Sequence, residues 1–270
     1  MSKVTYFDGQ EKNVIANIAK TWRNAVNTVI FTGAGMSTES GLPDFRSAKG
    51  LWKVRPESLA TLEALRTQPN EFYHFYQWRV NKLWEVVPNT GHQALAKLEN
   101  MGCIKNIITQ NVDGLHQRAG SKQVIELHGS LRTVRCMDCH SVYDSRSIVP
   151  ARPHWEDEYR QGLYQYGDEC RCLVCKGFVR PNVILFGESL PEKVLEKAMQ
   201  LSKSADLFIV LGSSLTVSPA NLFPSRAARN GAKLLIINNE PTHLDDIATW
   251  VIHAPIGKVL NEILAEVNEV

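Results

Sequence analysis

Short apolar runs rich in valine and isoleucine recur along the chain at residues 29–32, 104–109, 124–127, 183–186, 207–211, 234–237 and 250–252. Brief runs of this kind, bounded by polar or glycine-containing stretches, read as buried strands. Between several of them the apolar positions switch to a helical period. Val14, Ile15, Ile18, Ala19 and Trp22 share one face of a helix, as do Val194, Leu195, Ala198 and Leu201. Strands alternating with helices predict a parallel sheet covered on both faces, so the fold class is α/β.

Two stretches break the rhythm. Residues 48–88 are rich in aromatic side chains and helical in pattern, with no convincing strand. Residues 132–182 hold a cysteine cluster around an acidic, tyrosine-containing middle that has no clear period and reads as a loop with a short helix.

Composition narrows the function classes. The chain has 270 residues, 44% of them hydrophobic, with 30 basic against 28 acidic side chains and a net charge of +2. That length and apolar content can bury a large core, and the charge balance argues against a generic polyanion binder. The interval 151–170 holds five Asp or Glu against two Arg, which also speaks against a nucleic-acid-binding module. The start has no apolar run of signal-peptide length, and no later run approaches the ~18 residues of a membrane span, so a soluble cytoplasmic protein is expected.

Five of the six cysteines fall within forty residues, and Cys103 stands alone. Cys136-Met-Asp-Cys139 and Cys172-Leu-Val-Cys175 are two CxxC knuckles separated by 32 residues. Such spacing suits tetrahedral thiolate coordination of zinc. Four thiolates leave no open position for water or substrate, so the predicted metal is structural. Cys170 is a fifth candidate, but the CxC pair it makes with Cys172 is a poorer knuckle.

The segment TVIFTGAGMSTESGLPDFRS leads from a strand into Gly33-Ala34-Gly35 and a short helix. Glycines there let backbone N–H groups approach a pyrophosphate. The third glycine of a dinucleotide fingerprint is replaced by Thr38, and no lone acidic residue ends a second strand about twenty positions on, which disfavours a dehydrogenase. The segment is followed by TQNVDGLH (109–116), ELHGS (126–130), the two knuckles, RPNVILFGE (180–188) and GSSLTVSPA (212–220). At these residues, from about residue 10 to the C-terminus, the chain resembles the sirtuin family of NAD-dependent protein-lysine deacylases.

The resemblance implies a Rossmann-like NAD-binding domain of residues 1–47, 89–131 and 183–270. A small domain would combine a helical insert with the cofactor loop (48–88) and a zinc-binding insert (132–182). NAD and an acyl-lysine of a protein substrate would meet between them. It implies that Ala34, Gly35 and Thr38 cradle phosphate, Ser213 and Ser214 hold the adenosine half, Asn238 meets its ribose, and backbone near Ile256 borders the adenine. Asp44, Phe45 and Arg46 belong to a loop that orders over the bound cosubstrate. Gln110 and Asn111 would orient the reacting ribose, with Asn111 counted as catalytic, while Val112 and Asp113 hold nicotinamide. His128 is the implied general base, its ordinary pKa near ~6.5 suiting proton acceptance at neutral pH. The products would be lysine, nicotinamide and O-acyl-ADP-ribose. Mono-ADP-ribosyl transfer to protein would use the same cleft.

The strand 183–186 reads either as plain core or as the wall of an acyl-lysine tunnel. The resemblance assigns Ile184 and Phe186 to the tunnel, and backbone of Gly187 and Glu188 to pairing with substrate peptide. Tyr76 and Arg79 are three apart and share a helical face. Sirtuins that prefer succinyl or malonyl groups carry a Tyr-x-x-Arg pair here, whose guanidinium can clamp a distal carboxylate. Aligning instead on Phe72-Tyr73 puts Tyr76 where that arginine belongs. An amphipathic helix with Arg79 reaching to solvent is the other reading, and deacetylation is the leading expectation.

Overall fold

The computed structural model describes residues 2–5, 11–47, 50–53, 55–148, 155–167 and 170–268. Seven strands form a wholly parallel sheet in the order β1 (Ser2–Thr5), β10 (Trp250–His253), β9 (Lys233–Ile237), β8 (Leu207–Leu211), β2 (Thr28–Thr32), β3 (Asn106–Thr109) and β4 (Val124–Glu126). Although β2 is apolar along most of its length, its side chains divide by the strand period of two. Ile30 faces one layer and Val29 and Phe31 the other.

The first layer comprises α1 (Glu11–Asn24), α4 (Thr90–Asn100) and α10 (Ile256–Asn268), which bring Ile18, Trp22, Leu95, Leu98, Val259 and Leu260 against the sheet. The second comprises α8 (Glu192–Ser204) and α9 (Leu222–Arg229), with Ala198, Phe223 and Ala227 packed on Phe208 and Val210. Each such leucine, isoleucine or phenylalanine contributes roughly 1.5 to 3 kcal/mol by leaving water, so the two layers hold the predicted doubly covered sheet together. This is the expected Rossmann-like α/β architecture.

From β2 the chain steps outward to β3 and β4, then returns to β8 on the other side of β2. The strand order therefore reverses between β2 and β8, and the loops leaving their C-terminal ends diverge to open a crevice there.

A second sheet is antiparallel, with β5 (Gly129–Cys136) between β6 (Val142–Asp144) and β7 (Val179–Val183). The expectation that 183–186 is a strand of the parallel sheet is corrected here. The strand ends at Val183, which pairs with Gly129 in the small sheet, and the next residues leave it. An apolar run does not say which surface its side chains meet, and here the helical segment buries only Val183 and Leu185 of the four. There α2 (Leu62–Thr67) and α3 (Pro69–Glu85) pack Phe72, Phe75, Val80 and Leu83 around Leu131, Val183 and Leu185.

The strand β1 carries no pattern that predicted it. Between the cysteine knuckles, α7 (Trp155–Arg160) is the short helix expected of the acidic stretch, and α6 (Ser145–Ile148) precedes that stretch without having been expected. No described helix is long and apolar enough to cross a membrane.

Candidate active site

The crevice at the switch point is a cleft of about 800 Å³. Its floor begins where β2 ends. Gly33 N donates to Leu211 O at 3.0 Å and Gly35 N to Gly212 O at 2.9 Å, locking the two diverging loops together. The approach is closer than side chains allow: a Cβ on Gly33 would lie 2.7 Å from Gly212 O, and one on Gly35 would lie 2.8 Å from Gly212 Cα. Ala34–Ser40 then forms the expected short helix, of 3₁₀ type, and Ala34, Gly35 and Thr38 line the cleft.

The strand end after β3 supplies a buried polar cluster. Asn111 Nδ2 donates to Gly33 O at 3.0 Å and to Ser37 Oγ at 3.2 Å, and Ser37 Oγ donates to Asp113 Oδ2 at 2.7 Å. The other Asp113 oxygen accepts from Leu115 N at 2.9 Å, capping α5 (Leu115–Arg118) beyond Gly114, whose φ of +68° turns the chain. Burial pushes the Asp113 carboxyl upward. The Leu115 and Ser37 hydrogen bonds and the charges of Arg79 and Arg132 pull it back. Gln110 Nε2 reaches across to Ser213 Oγ at 2.9 Å, joining this cluster to the loop after β8.

His128 follows β4 and lines the same cleft. Its Nδ1 lies 3.0 Å from Gln110 O, an acceptor, so Nδ1 carries the proton and Nε2 keeps its lone pair. Burial lowers the pKa of the ring and the Gln110 carbonyl raises it, with burial the stronger, so the imidazole is neutral at pH 7.

Ile184, Phe186, Gly187 and Glu188 form the opposite wall. Ile184 N donates to His128 O at 2.8 Å, and Phe186 exchanges backbone bonds with Ala60 O and Leu62 N at 3.0 Å each. The Glu188 N–H is turned inward to Leu185 O at 3.0 Å, which removes it from outward pairing. The Glu188 carboxylate takes two bonds from the buried Arg180, at 2.8 and 2.7 Å, and one from Leu185 N at 2.8 Å.

Asp44, Phe45 and Arg46 form the rim. Phe45 stacks on Trp52 with ring centroids 4.8 Å apart, and Arg46 pairs with Glu57 at 2.8 Å. Behind them Tyr76 and Arg79 both line the cleft, while the Tyr73 hydroxyl points away and donates to Val179 O at 2.7 Å. The Arg79 guanidinium sits 5.5 Å from the Phe45 ring, 5.6 Å from Phe75 and 5.4 Å from Tyr76. Among the described residues no carboxylate forms an ion pair with it.

Val112, Ser214 and Asn238 also line the cleft. Ile256 does not: it opens α10 with its side chain in the core, and the adjoining Gly257 N is capped by Glu39 Oε1 at 2.9 Å.

Sequence reasoning gave no role to Ser37, Gly212, Trp78 or Lys82, all of which line the cleft. Only Ser37 had a legible signal, a hydroxyl at the turn after the glycines.

Away from the cleft, the Sγ atoms of Cys136, Cys139, Cys172 and Cys175 lie within 4.8 Å of one another, with Cys136–Cys175 at 3.5 Å and Cys139–Cys172 at 3.6 Å. Sulfurs about 2.3 Å from a shared tetrahedral centre would have nearly this spacing. Among the described residues only Val134, Val179 and a partly buried Tyr143 join Cys136 and Cys172 in the local apolar cluster, too small a set to hold together by packing. Cys170 is buried apart from the four, within the helical segment's core.

A model of the Sir2 family matches residues 33–219. The chain belongs to the Sir2 family. It is 51% identical over 247 residues to NAD-dependent protein deacetylase 1 of Geobacillus kaustophilus, covering 90% of this chain and 95% of that relative. It is 43% identical to NAD-dependent protein deacylase 2 of Archaeoglobus fulgidus, covering 94% and 96%. A solved Sir2 homolog–NAD complex superposes with a TM-score of 0.81 at 37% identity, covering 100% of this chain and 97% of that one. A Sir2 complex with a p53 peptide and NAD+ gives 0.80 at 36% identity, covering 93% and 97%. The cleft of this Sir2 chain thus lies on a fold that holds dinucleotide and peptide in its solved neighbours.

Proposed function

We propose that the chain is an NAD-dependent protein-lysine deacylase, most simply a deacetylase, releasing lysine, nicotinamide and O-acyl-ADP-ribose. The observation that carries this reading is a neutral His128, tethered through Nδ1 and lining the same cleft as the Asn111–Ser37–Asp113 cluster.

NAD supplies the ribose carbon that receives the acyl oxygen and the nicotinamide that departs. The protein does the rest by holding and by moving one proton. The turn of Ala34, Gly35 and Thr38 and the Arg46 side chain serve the phosphates. Ser213, Ser214 and Asn238 serve the adenosine half. Asp113 accepts from the carboxamide, Val112 packs on its ring, and Gln110 and Asn111 orient the ribose. His128 Nε2 accepts a ribose hydroxyl proton. Phe45 excludes water from above, and Ile184 and Phe186 flank the lysine stem. The backbone at Gly187 is the substrate-pairing edge, since the Glu188 N–H is already spent.

One zinc ion held by the four clustered cysteines is the structural staple of the small sheet. The helical segment and the zinc-binding insert form the small domain, and reduced thiols suit a cytoplasmic location. No nucleic-acid partner is proposed. Incubation of an acetyl-lysine peptide with NAD, read by mass spectrometry, tests the reaction: loss of the acyl mass supports deacylation, and gain of ADP-ribose mass supports the transferase instead.

A second reading concerns the acyl group. A half-buried guanidinium beside Tyr76, with no described carboxylate in an ion pair with it, favours an acidic acyl chain such as succinyl, whose carboxylate it would pair with. Succinyl-lysine peptide in the same assay decides it.

A further inference from the structure

Two buried histidines take no part in the proposed reaction. His92 and His116 are 0% and 1% exposed, and their ring centroids lie 4.8 Å apart beneath the cleft floor. A buried imidazole is costly unless its hydrogen bonds serve the structure around it, so their partners are informative.

His116 Nε2 lies 3.0 Å from Thr32 Oγ1. Thr32 Oγ1 donates to Thr109 Oγ1 at 2.7 Å, and Thr109 Oγ1 accepts from Asn111 N at 3.0 Å. With the Thr32 proton committed to Thr109, His116 must donate from Nε2. On the other side His92 Nδ1 lies 2.9 Å from Asn89 Oδ1, and Asn89 Nδ2 donates to Met36 O at 2.8 Å, in the 3₁₀ helix that follows the glycine turn. The Asn89 amide is thereby oriented, which puts the His92 proton on Nδ1. The remaining nitrogens, His116 Nδ1 and His92 Nε2, have no partner among the described residues.

We propose that His116 and Thr32 are positioning residues for the reaction, acting through Thr109 to hold the backbone of Asn111. The relay fixes the peptide unit from which the Asn111 side chain reaches Gly33 O and Ser37 Oγ, and through Ser37 it sets the Asp113 carboxylate. Thr109 and Thr32 are paired neighbours on β3 and β2, so the relay ties the ends of two strands together at the point where they deliver the site. The proposal rests on the deacylase reading for what Asn111 does, but its geometry is independent of that reading.

Thr32→Val removes the hydroxyl at nearly constant volume, and Thr32→Ser restores it. Losing the shared hydrogen bond should lower kcat by about 10-fold, with peptide KM within about 2-fold and melting temperature close to that of the unmodified protein. Thr32→Ser should keep most of the rate, and His116→Phe combined with Thr32→Val should lose little more than either alone. Imidazole ¹H–¹⁵N spectra at neutral pH supply a readout that needs no turnover. His116 should be protonated at Nε2, and that signal should move in Thr32→Val. Equal kcat in Thr32→Val and Thr32→Ser, or an His116 proton on Nδ1, would overturn the relay. If the unmodified protein turned over no acyl peptide, the deacylase reading would fail while the spectra still decided the relay.

Discussion

His128 Nδ1 and the carbonyl oxygen of Gln110 are 3.0 Å apart, so the ring is held by the backbone of the same segment that presents Asn111 and Asp113. The base and the groups proposed to hold ribose and nicotinamide are thereby one rigid unit. His128→Ala should abolish deacylation while calorimetric ADP-ribose affinity stays within a small factor. Because burial lowers the His128 pKa, the neutral base persists below its ordinary titration range. The acid limb of kcat should therefore fall below pH ~6.5. A limb above that value would remove His128 from the role.

The four clustered cysteines and the separate Cys170 make opposite predictions. Cys136→Ala or Cys172→Ala should lose stoichiometric zinc and melt the small sheet, since structural zinc supplies roughly 10 kcal/mol or more in small domains. Cys170→Ala should retain the metal. Zinc content by atomic absorption decides, and metal loss in the Cys170 variant alone would refute the assignment.

Arg79→Met tests the acyl pocket. If its guanidinium binds a succinyl carboxylate, desuccinylation should fall ~10-fold or more, as a charged hydrogen bond is worth roughly 1.5 to 3 kcal/mol, while deacetylation is spared. Equal loss of both activities would assign Arg79 to packing alone.

Arg46 is proposed to serve the phosphates, yet its guanidinium is paired with Glu57 at 2.8 Å. Binding must break that pair. Glu57→Gln should tighten ADP-ribose binding, by no more than about 5-fold because exposed ion pairs are worth only about 0.2 to 1 kcal/mol. Unchanged affinity would show that Arg46 does not move to the ligand.

Burial holds the His92 pKa down at about 4 and keeps His116 well below its ordinary value. The unfolded chain binds these protons first, near pH ~6.5. Stability should therefore be fully present above that pH and be lost as pH falls toward 4, at up to about 1.4 kcal/mol per pH unit for each ring. Urea unfolding at pH 7 and pH 5 measures it, and His92→Asn should flatten the slope.

The glycine turn, the QNVD segment and the cysteine knuckles were legible because each needs particular residue types at fixed spacing. The parallel sheet was legible from runs such as 207–211, whose alternate residues face the two layers. What escaped was long-range. Nothing local distinguishes the run at 183–186 from a central strand, since both are apolar, yet in the fold only Val183 and Leu185 of that run are buried. The Glu39 cap on Gly257, from more than two hundred residues away, is another such contact. The Thr32 partner of His116 likewise lies on an element that only folding brings near.

The segment from Val183 to Glu188 touches the small sheet, the loop that carries His128 and the helical segment. Val183 belongs to the cysteine-bearing sheet, Ile184 N–H grips the His128 carbonyl, Phe186 is laced to residues 60–62, and Arg180 clamps the turn that follows. It behaves as a tie rod between three bodies. Strain entering at the distant cysteine cluster has one residue to travel from β7 before it reaches the backbone of His128, so loosening that cluster should detune the proposed chemistry well before the chain unfolds.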